Sequence, residues 1–340
     1  MTIDQAKHIQ KLIALVLVLV CVLGLAGCSF NRIAKEPTAP HIETTLPTTH
    51  AETPSASTTI TSTENSTTPR ETQSPSTEPT QSETIPSLVI VQPEPSDDDF
   101  VMVITYIPDI FVDLRYSTEF NFTNQKIYDF TDVWLRYGTV KKLVLVQEEL
   151  KQSGLYLKIW DGFRPPSAQF KLWHVCPDPT YVSNPNNGFS SHSRGNTVDV
   201  TLVYADGTEL VMPTGFDDFS KLADRDYGDC SKEAAANAIL LEEIMKKYGF
   251  KPYSGEWWHF SDTQSYPVDE AFEPIEAAEY CADCNEYISL RSKPSVTSDV
   301  ITKILVGEHF QVVAKHGDFA LIEHKGPWGY VMCKYIQPVR

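Results

Sequence analysis

Two histidines, an aspartate and a glutamate stand where this chain could hold a divalent metal. His192 lies in Ser190-Ser191-His192-Ser193-Arg194-Gly195, and Asp199 follows inside the apolar run Val198 to Tyr204. His259 closes Glu256-Trp257-Trp258-His259, and only one other histidine, His174, falls between Phe100 and Ile275. Two imidazoles and one carboxylate are the ligand set of a catalytic zinc site, which keeps a fourth position open; structural zinc more often takes four Cys or His. A carboxylate between Val198 and Val200 on a strand is costly to bury unless a cation compensates it. Glu256 is close enough to His259 to act as a general base on a water without being a ligand itself. His-x6-Asp alone also fits a core histidine and a turn aspartate. A third element adds weight: Trp160-Asp161-Gly162-Phe163-Arg164-Pro165-Pro166 places Arg164 between an aromatic residue and a proline, just after a predicted strand, where loops carry function.

The elements that must position these groups are legible in outline. Val140, Leu143, Val144, Val146 and Leu150 are spaced for one helix face that Gly154 ends, and Leu155 to Trp160 then reads as a strand. Ser231 suits a helix N-cap; Leu240, Leu241, Ile244 and Met245 form an apolar stripe, and Lys246, Lys247 and Gly249 suit the helix end. The mixture predicts an α+β domain over 100–275.

The three motifs, together with Asp199-Val200-Thr201-Leu202 and Glu256-Trp257-Trp258-His259-Phe260, are similar to the zinc D-alanyl-D-alanine dipeptidases of the VanX type, within peptidase family M15. The resemblance spans about 100 to 270 and keeps the family's order and spacing. It implies a hedgehog or D,D-peptidase-like fold, an antiparallel sheet with flanking helices. It further implies one Zn2+ held by His192, Asp199 and His259, Glu256 as general base, and Arg164 facing the scissile carbonyl. Asp217 and Tyr116 match positions that hold the free amino end of a dipeptide, and Ser190 and Asp161 match further pocket positions. The implied substrate is D-Ala-D-Ala. Related D,D-carboxypeptidases, which trim peptidoglycan stem peptides, share the His, Asp, Glu and His pattern, and a wall-binding lipoprotein without activity is the non-enzymatic alternative.

The ends of the chain address its location. Lys7, His8 and Lys11 precede an apolar run from Leu12 to Leu23, which reads as an export signal over 1–27 and is short for a membrane span. Leu25-Ala26-Gly27-Cys28 resembles a bacterial lipobox, which implies lipidation of Cys28 and an anchor on the outer face of the cytoplasmic membrane. Residues 28–99 read as a disordered tether reaching into the cell wall: no aromatic residue occurs from Asn31 to Asp99, and 51–90 hold 11 Thr, 8 Ser and 5 Pro. The net charge of −17 excludes a generic nucleic-acid binder, which needs a basic patch.

Residues 281–340 show short apolar runs, Tyr287 to Leu290, Val300 to Leu305, Phe310 to Ala314, Phe319 to Ile322 and Gly329 to Met332, spaced for a small β-barrel. Ser289-Leu290-Arg291-Ser292-Lys293-Pro294-Ser295, Gly307-Glu308 and Trp328-Gly329-Tyr330-Val331 resemble a bacterial SH3 domain, which implies attachment to peptidoglycan. Tyr330 is expected in the core, and Trp328 suits either core or a ligand platform. An oxidising compartment favours a disulfide from Cys281 or Cys284 to Cys333, with Cys176 and Cys230 as a second candidate pair.

Overall fold

The computed structural model describes residues 94–339, which lie within one compact unit. The export signal, Cys28 and most of the tether therefore lie outside the described residues. Among the described residues no helix is long and apolar enough to cross a membrane.

The first part of the chain builds two sheets and four helices. Strands β1 (Phe100–Met102) and β3 (Trp134–Arg136) form an antiparallel ribbon. A five-stranded sheet takes the order β2 (Phe111–Val112), β4 (Leu155–Asp161), β5 (Thr197–Tyr204), β7 (His259–Asp262), β6 (Phe250–Pro252). The expected antiparallel sheet holds for all of it except the edge, where β2 runs parallel to β4. The helices are α1 (Val103–Tyr106), α2 (Tyr137–Lys151), α3 (Pro166–Val175) and α4 (Lys232–Lys247).

Local chemistry explains the boundaries. Helix α2 buries Val140, Leu143, Val146 and Leu150 on one face, as the spacing predicts, and Gly154 follows it at φ 71. The Ser231 side chain accepts from Ala234 N at the start of α4, while Lys246 and Lys247 fill its last turn against the helix dipole. Pro165 and Pro166 open α3, where a fixed φ and a missing N–H cost nothing.

The remaining strands, β8 (Phe272–Ala282), β9 (Tyr287–Arg291), β10 (Val300–Leu305), β11 (His309–His316), β12 (Phe319–Glu323), β13 (Trp328–Met332) and β14 (Ile336–Pro338), form one sheet in the order β10-β9-β13-β12-β11-β8-β14. The five predicted runs are all strands. Strand β8, which is not among the predicted runs, crosses from one predicted domain into the next and pairs along β11. The barrel and the preceding domain share a core: Phe319, Leu321 and Tyr330 cluster with Phe100, Trp134 and Phe272. Phe272 stacks on Phe100 with ring centroids 4.3 Å apart, and Trp328 is half-buried against this same core. Trp328 is thus a junction residue.

Two expectations need correction. Residues 94–99 belong to the fold: Tyr137 donates to Glu94, Arg136 to the Asp98 carbonyl, and Lys293 of the barrel pairs with Asp99. The five described cysteines, Cys176, Cys230, Cys281, Cys284 and Cys333, are all free thiols. The cross-strand neighbours of Cys281 are His309 and Gln337, and Cys333 begins a separate turn, so the barrel register does not pair them.

Candidate metal centre

Strand register assembles the centre. Asp199 on β5 stands opposite His259 at the start of β7 and opposite Asp161 at the end of β4, so three polar residues form one row across adjacent strands. A register shift between Ile159 and Asp161 re-aims the end of β4. His192 comes from a short 3-10 turn, Ser191–Arg194, whose first backbone donors are met by the Ser190 hydroxyl accepting from His192 N at 3.3 Å. The turn ends at Gly195, with φ 74, where a Cβ would lie 2.3 Å from the Phe100 ring; only glycine allows both that backbone and that contact.

His192, Asp199 and His259 offer ligand atoms that all lie within 4.8 Å of one another. His192 Nδ1 donates to the Gly162 carbonyl at 2.8 Å, which fixes the ring and turns Nε2 to within 3.4 Å of Asp199 Oδ2. His259 Nδ1 lies 3.0 Å from Asp199 Oδ1, yet that buried oxygen makes no hydrogen bond. Atoms that approach closely without bonding point at a common centre. Tetrahedral ligands at zinc bond lengths of about 2.0–2.1 Å stand roughly 3.3 Å apart, so the donor set fits that ion.

A cavity of about 330 Å³ opens onto the three residues and is also lined by Glu256, Arg164, Tyr116, Asp217 and Ser190. Glu256 Oε2 is 3.5 Å from His259 Nδ1. Arg164 is buried, and its guanidinium is held on three sides: NH2 donates to Asp161 at 2.6 Å, Nε to the Tyr128 hydroxyl at 3.1 Å, and NH1 to Gln169 at 3.2 Å. Five N–H groups minus these three bonds leave two donors. Tyr116 donates to Asp217 at 3.0 Å. Asp217 sits at φ 56 on a loop that Thr214 ties to the buried Trp257 indole by a 2.9 Å bond.

A family profile described as D-ala-D-ala dipeptidase, peptidase M15, matches residues 96–277. The chain belongs to this family. The D-alanyl-D-alanine dipeptidase of Escherichia coli K12 is 36% identical over 172 residues, which cover 50% of this chain and 89% of that protein. The enzyme of the same name from Enterococcus faecium is 32% identical over 168 residues, covering 44% and 83%. Among solved structures, VanYB in complex with D-Alanine-D-Alanine covers 39% of this chain and 73% of its own at 17% identity and a TM-score of 0.26. A second profile, the bacterial SH3 domain, matches residues 286–337. The M15 family is metal-dependent.

In this M15 member the electrostatics follow from burial around few charges. Burial works against an ionised Asp199, but His192 and His259 outweigh it and hold its carboxyl below the usual range, ready to ligate. Burial first, and the Asp199 charge second, raise both Glu256 and Asp217. No cation lies within ion-pair distance of Asp217 among the described residues, so in the free protein its charge is met by the Tyr116 hydroxyl and not by a salt bridge.

Of the nine residues singled out in this domain, eight share the cavity: His192, Asp199, His259, Glu256, Arg164, Tyr116, Asp217 and Ser190. Asp161 lies behind them. It is fully buried and bonds Tyr128, Arg164 and the Gly162 amide, so its place is to orient the guanidinium rather than to meet a ligand. Tyr128 and Gln169 escaped the sequence reading. Gln169 carried a faint signal, a polar residue on the α3 face that buries Ala168 and Leu172; Tyr128 carried none.

Proposed function

We propose that the protein is a zinc dipeptidase that hydrolyses free D-Ala-D-Ala, with His192, Asp199 and His259 as zinc ligands. The observation that carries this reading is the cavity itself, which sets a metal donor trio, a carboxylate of raised pKa, a fixed guanidinium and a second carboxylate with no ion-pair partner around one space. When bound, zinc supplies a Lewis acid that lowers the pKa of water and polarises a carbonyl. Glu256 accepts the proton of the attacking water on its carboxylate and passes it to the departing amine nitrogen. Arg164 turns its two free N–H groups to the oxyanion that develops on the peptide carbonyl, already oriented and without reorganisation. Asp217 and the Tyr116 hydroxyl hold the substrate ammonium, and Ser190 stands at the same wall. An acylated amine has no charge to offer Asp217, which confines turnover to free dipeptides.

The test compares D-alanine release by the full chain, supplied with Zn2+, from D-Ala-D-Ala and from N-acetyl-D-Ala-D-Ala, with Glu256→Ala as control. Release confined to the free dipeptide and lost in the variant is the expected result. Preferred cleavage of the blocked substrate would make the protein a D,D-carboxypeptidase, a reading that the fused bacterial SH3 domain favours because that module suits an enzyme working on the wall. No release from either substrate would leave a binding lipoprotein. The proposal extends to location: Cys28 carries the lipid, the tether spans into the wall, and the barrel binds peptidoglycan. The support is the sequence pattern and the SH3 match. Incorporation of labelled palmitate that disappears in Cys28→Ala, and sedimentation with isolated peptidoglycan, are the measurements.

A further inference from the structure

We propose that Gln169 is a positioning residue that ties the oxyanion donor Arg164 to the loop forming the outer wall of the cavity; this rests on the reading of Arg164 given above. Gln169 is fully buried on α3, where an amide must be hydrogen-bonded at both ends to be tolerated. Its Oε1 accepts from Arg164 NH1 at 3.2 Å and its Nε2 donates to the Ser183 carbonyl at 2.7 Å. One amide thus bridges a cavity group and a loop. The loop over residues 177–189 supplies Pro179, Thr180, Tyr181 and Ser183 to the cavity wall.

How that loop is held makes the bridge matter. Its other hydrogen bonds are internal: Tyr181 and Val182 N–H donate to the Asp178 carbonyl, Thr180 N–H to the Asp178 side chain, and Asn186 and Asn187 N–H to Asn184. Among the described residues, the bond from Gln169 is the only one entering 177–189 from the rest of the fold; the buried Val182 adds an apolar anchor beside it. Arg164 has two further holds, Asp161 and Tyr128, but both lie on its other nitrogens. Gln169 therefore sets the end of the guanidinium nearest the loop, and any displacement of the loop is passed to NH1.

The experiment uses the full chain with Zn2+ and two variants. Gln169→Leu removes both bonds. Gln169→Glu keeps an acceptor for Arg164 but has no donor for the Ser183 carbonyl. For Gln169→Leu, amide hydrogen exchange in 177–189 should accelerate by about tenfold, the scale of one lost buried hydrogen bond, with kcat reduced to a similar degree and KM raised. Gln169→Glu should recover most of kcat while exchange in the loop stays fast and KM stays high. That split is what a residue of merely structural value would not produce. Exchange in 177–189 unchanged in both variants overturns the proposal, as does a uniform loss of protection that includes β5, or a kcat in Gln169→Glu as low as in Gln169→Leu. Should Gln169→Leu not fold, Gln169→Glu decides alone: fast loop exchange with near-normal kcat supports the bridge, and any other pattern refutes it. Exchange is read without substrate, so a wild-type protein inactive on dipeptides would refute the proposed function while the loop measurement still judged the bridge.

Discussion

Asp217→Asn is the substitution from which the structure draws the most. Asp217 occupies the left-handed backbone region at φ 56, which Asn tolerates as readily as Asp, whereas alanine would add strain. The amide oxygen can still accept the Tyr116 hydroxyl bond, 3.0 Å long in the parent, so the change removes a charge and little else. In the free protein that charge forms no ion pair, and burial and Asp199 outweigh Tyr116 and the more distant Arg164 and push its carboxyl well above the usual carboxylate range. Because the folded pKa is raised, ionised Asp217 costs stability above that pKa. Asp217→Asn should therefore melt higher than the parent at neutral pH. Substrate binding reverses the sign: a hydrogen bond to an ionised group contributes about 1.5–3 kcal/mol, so its loss should lower kcat/KM on D-Ala-D-Ala by roughly 10- to 150-fold. On N-acetyl-D-Ala-D-Ala the same variant should be unchanged or improved. The assay is D-alanine release from both substrates between pH 5 and 9. The parent should also lose free-dipeptide kcat/KM as pH falls through the raised Asp217 pKa, since the protonated acid cannot pair with ammonium. An equal loss on both substrates, or no loss on either, would refute amine recognition by this carboxylate.

Three further outcomes follow from other parts of the fold. Glu256→Gln should lower kcat by about 10²–10⁴ with zinc content unchanged by elemental analysis, because the proton acceptor is lost and the donor trio is not. Gly195→Ala should destabilise the protein by more than about 2 kcal/mol in urea unfolding, since the left-handed backbone alone costs roughly 1–2 kcal/mol and the new Cβ would meet the Phe100 ring. Asp269 is held below the usual carboxylate range, first by its hydrogen bond with His316 of β11. Its contribution is present above the unfolded carboxylate pKa and lost as pH falls through the lowered one. Asp269→Asn should accordingly narrow the gap between the melting temperatures at pH 6 and pH 3.

What could be read from the sequence was whatever residue type and local spacing decide. His192, Asp199, His259, Glu256 and Arg164 could be singled out because histidines in polar company and an aspartate inside an apolar run are chemically unusual, and the structure gathers all five around one cavity. The α2 face, the α4 cap and the five barrel runs follow from periodicities of a few residues. What escaped was set by register across the chain. That Asp161 sits behind the cavity depends on β4 pairing with β5 one bulge out of step, and on a tyrosine 33 residues away reaching its carboxylate. Strand β8 escaped because Glu273, Pro274, Glu276 and Glu279 interrupt its apolar alternation, and the cysteine pairing failed because the compartment says nothing of which strand each thiol faces.

The core shared across the junction has a mechanical meaning. Phe272 opens the first barrel strand yet lies between Phe100 and Trp134, so the barrel does not hang from the catalytic part by a hinge. Heating should melt both in one transition, and a chain cut at residue 270 would present Phe100 and Trp134 to water and aggregate. Whatever the barrel grips, the cavity lined by His192, Asp199 and His259 is carried at a fixed distance and bearing from it, as a blade is from its handle.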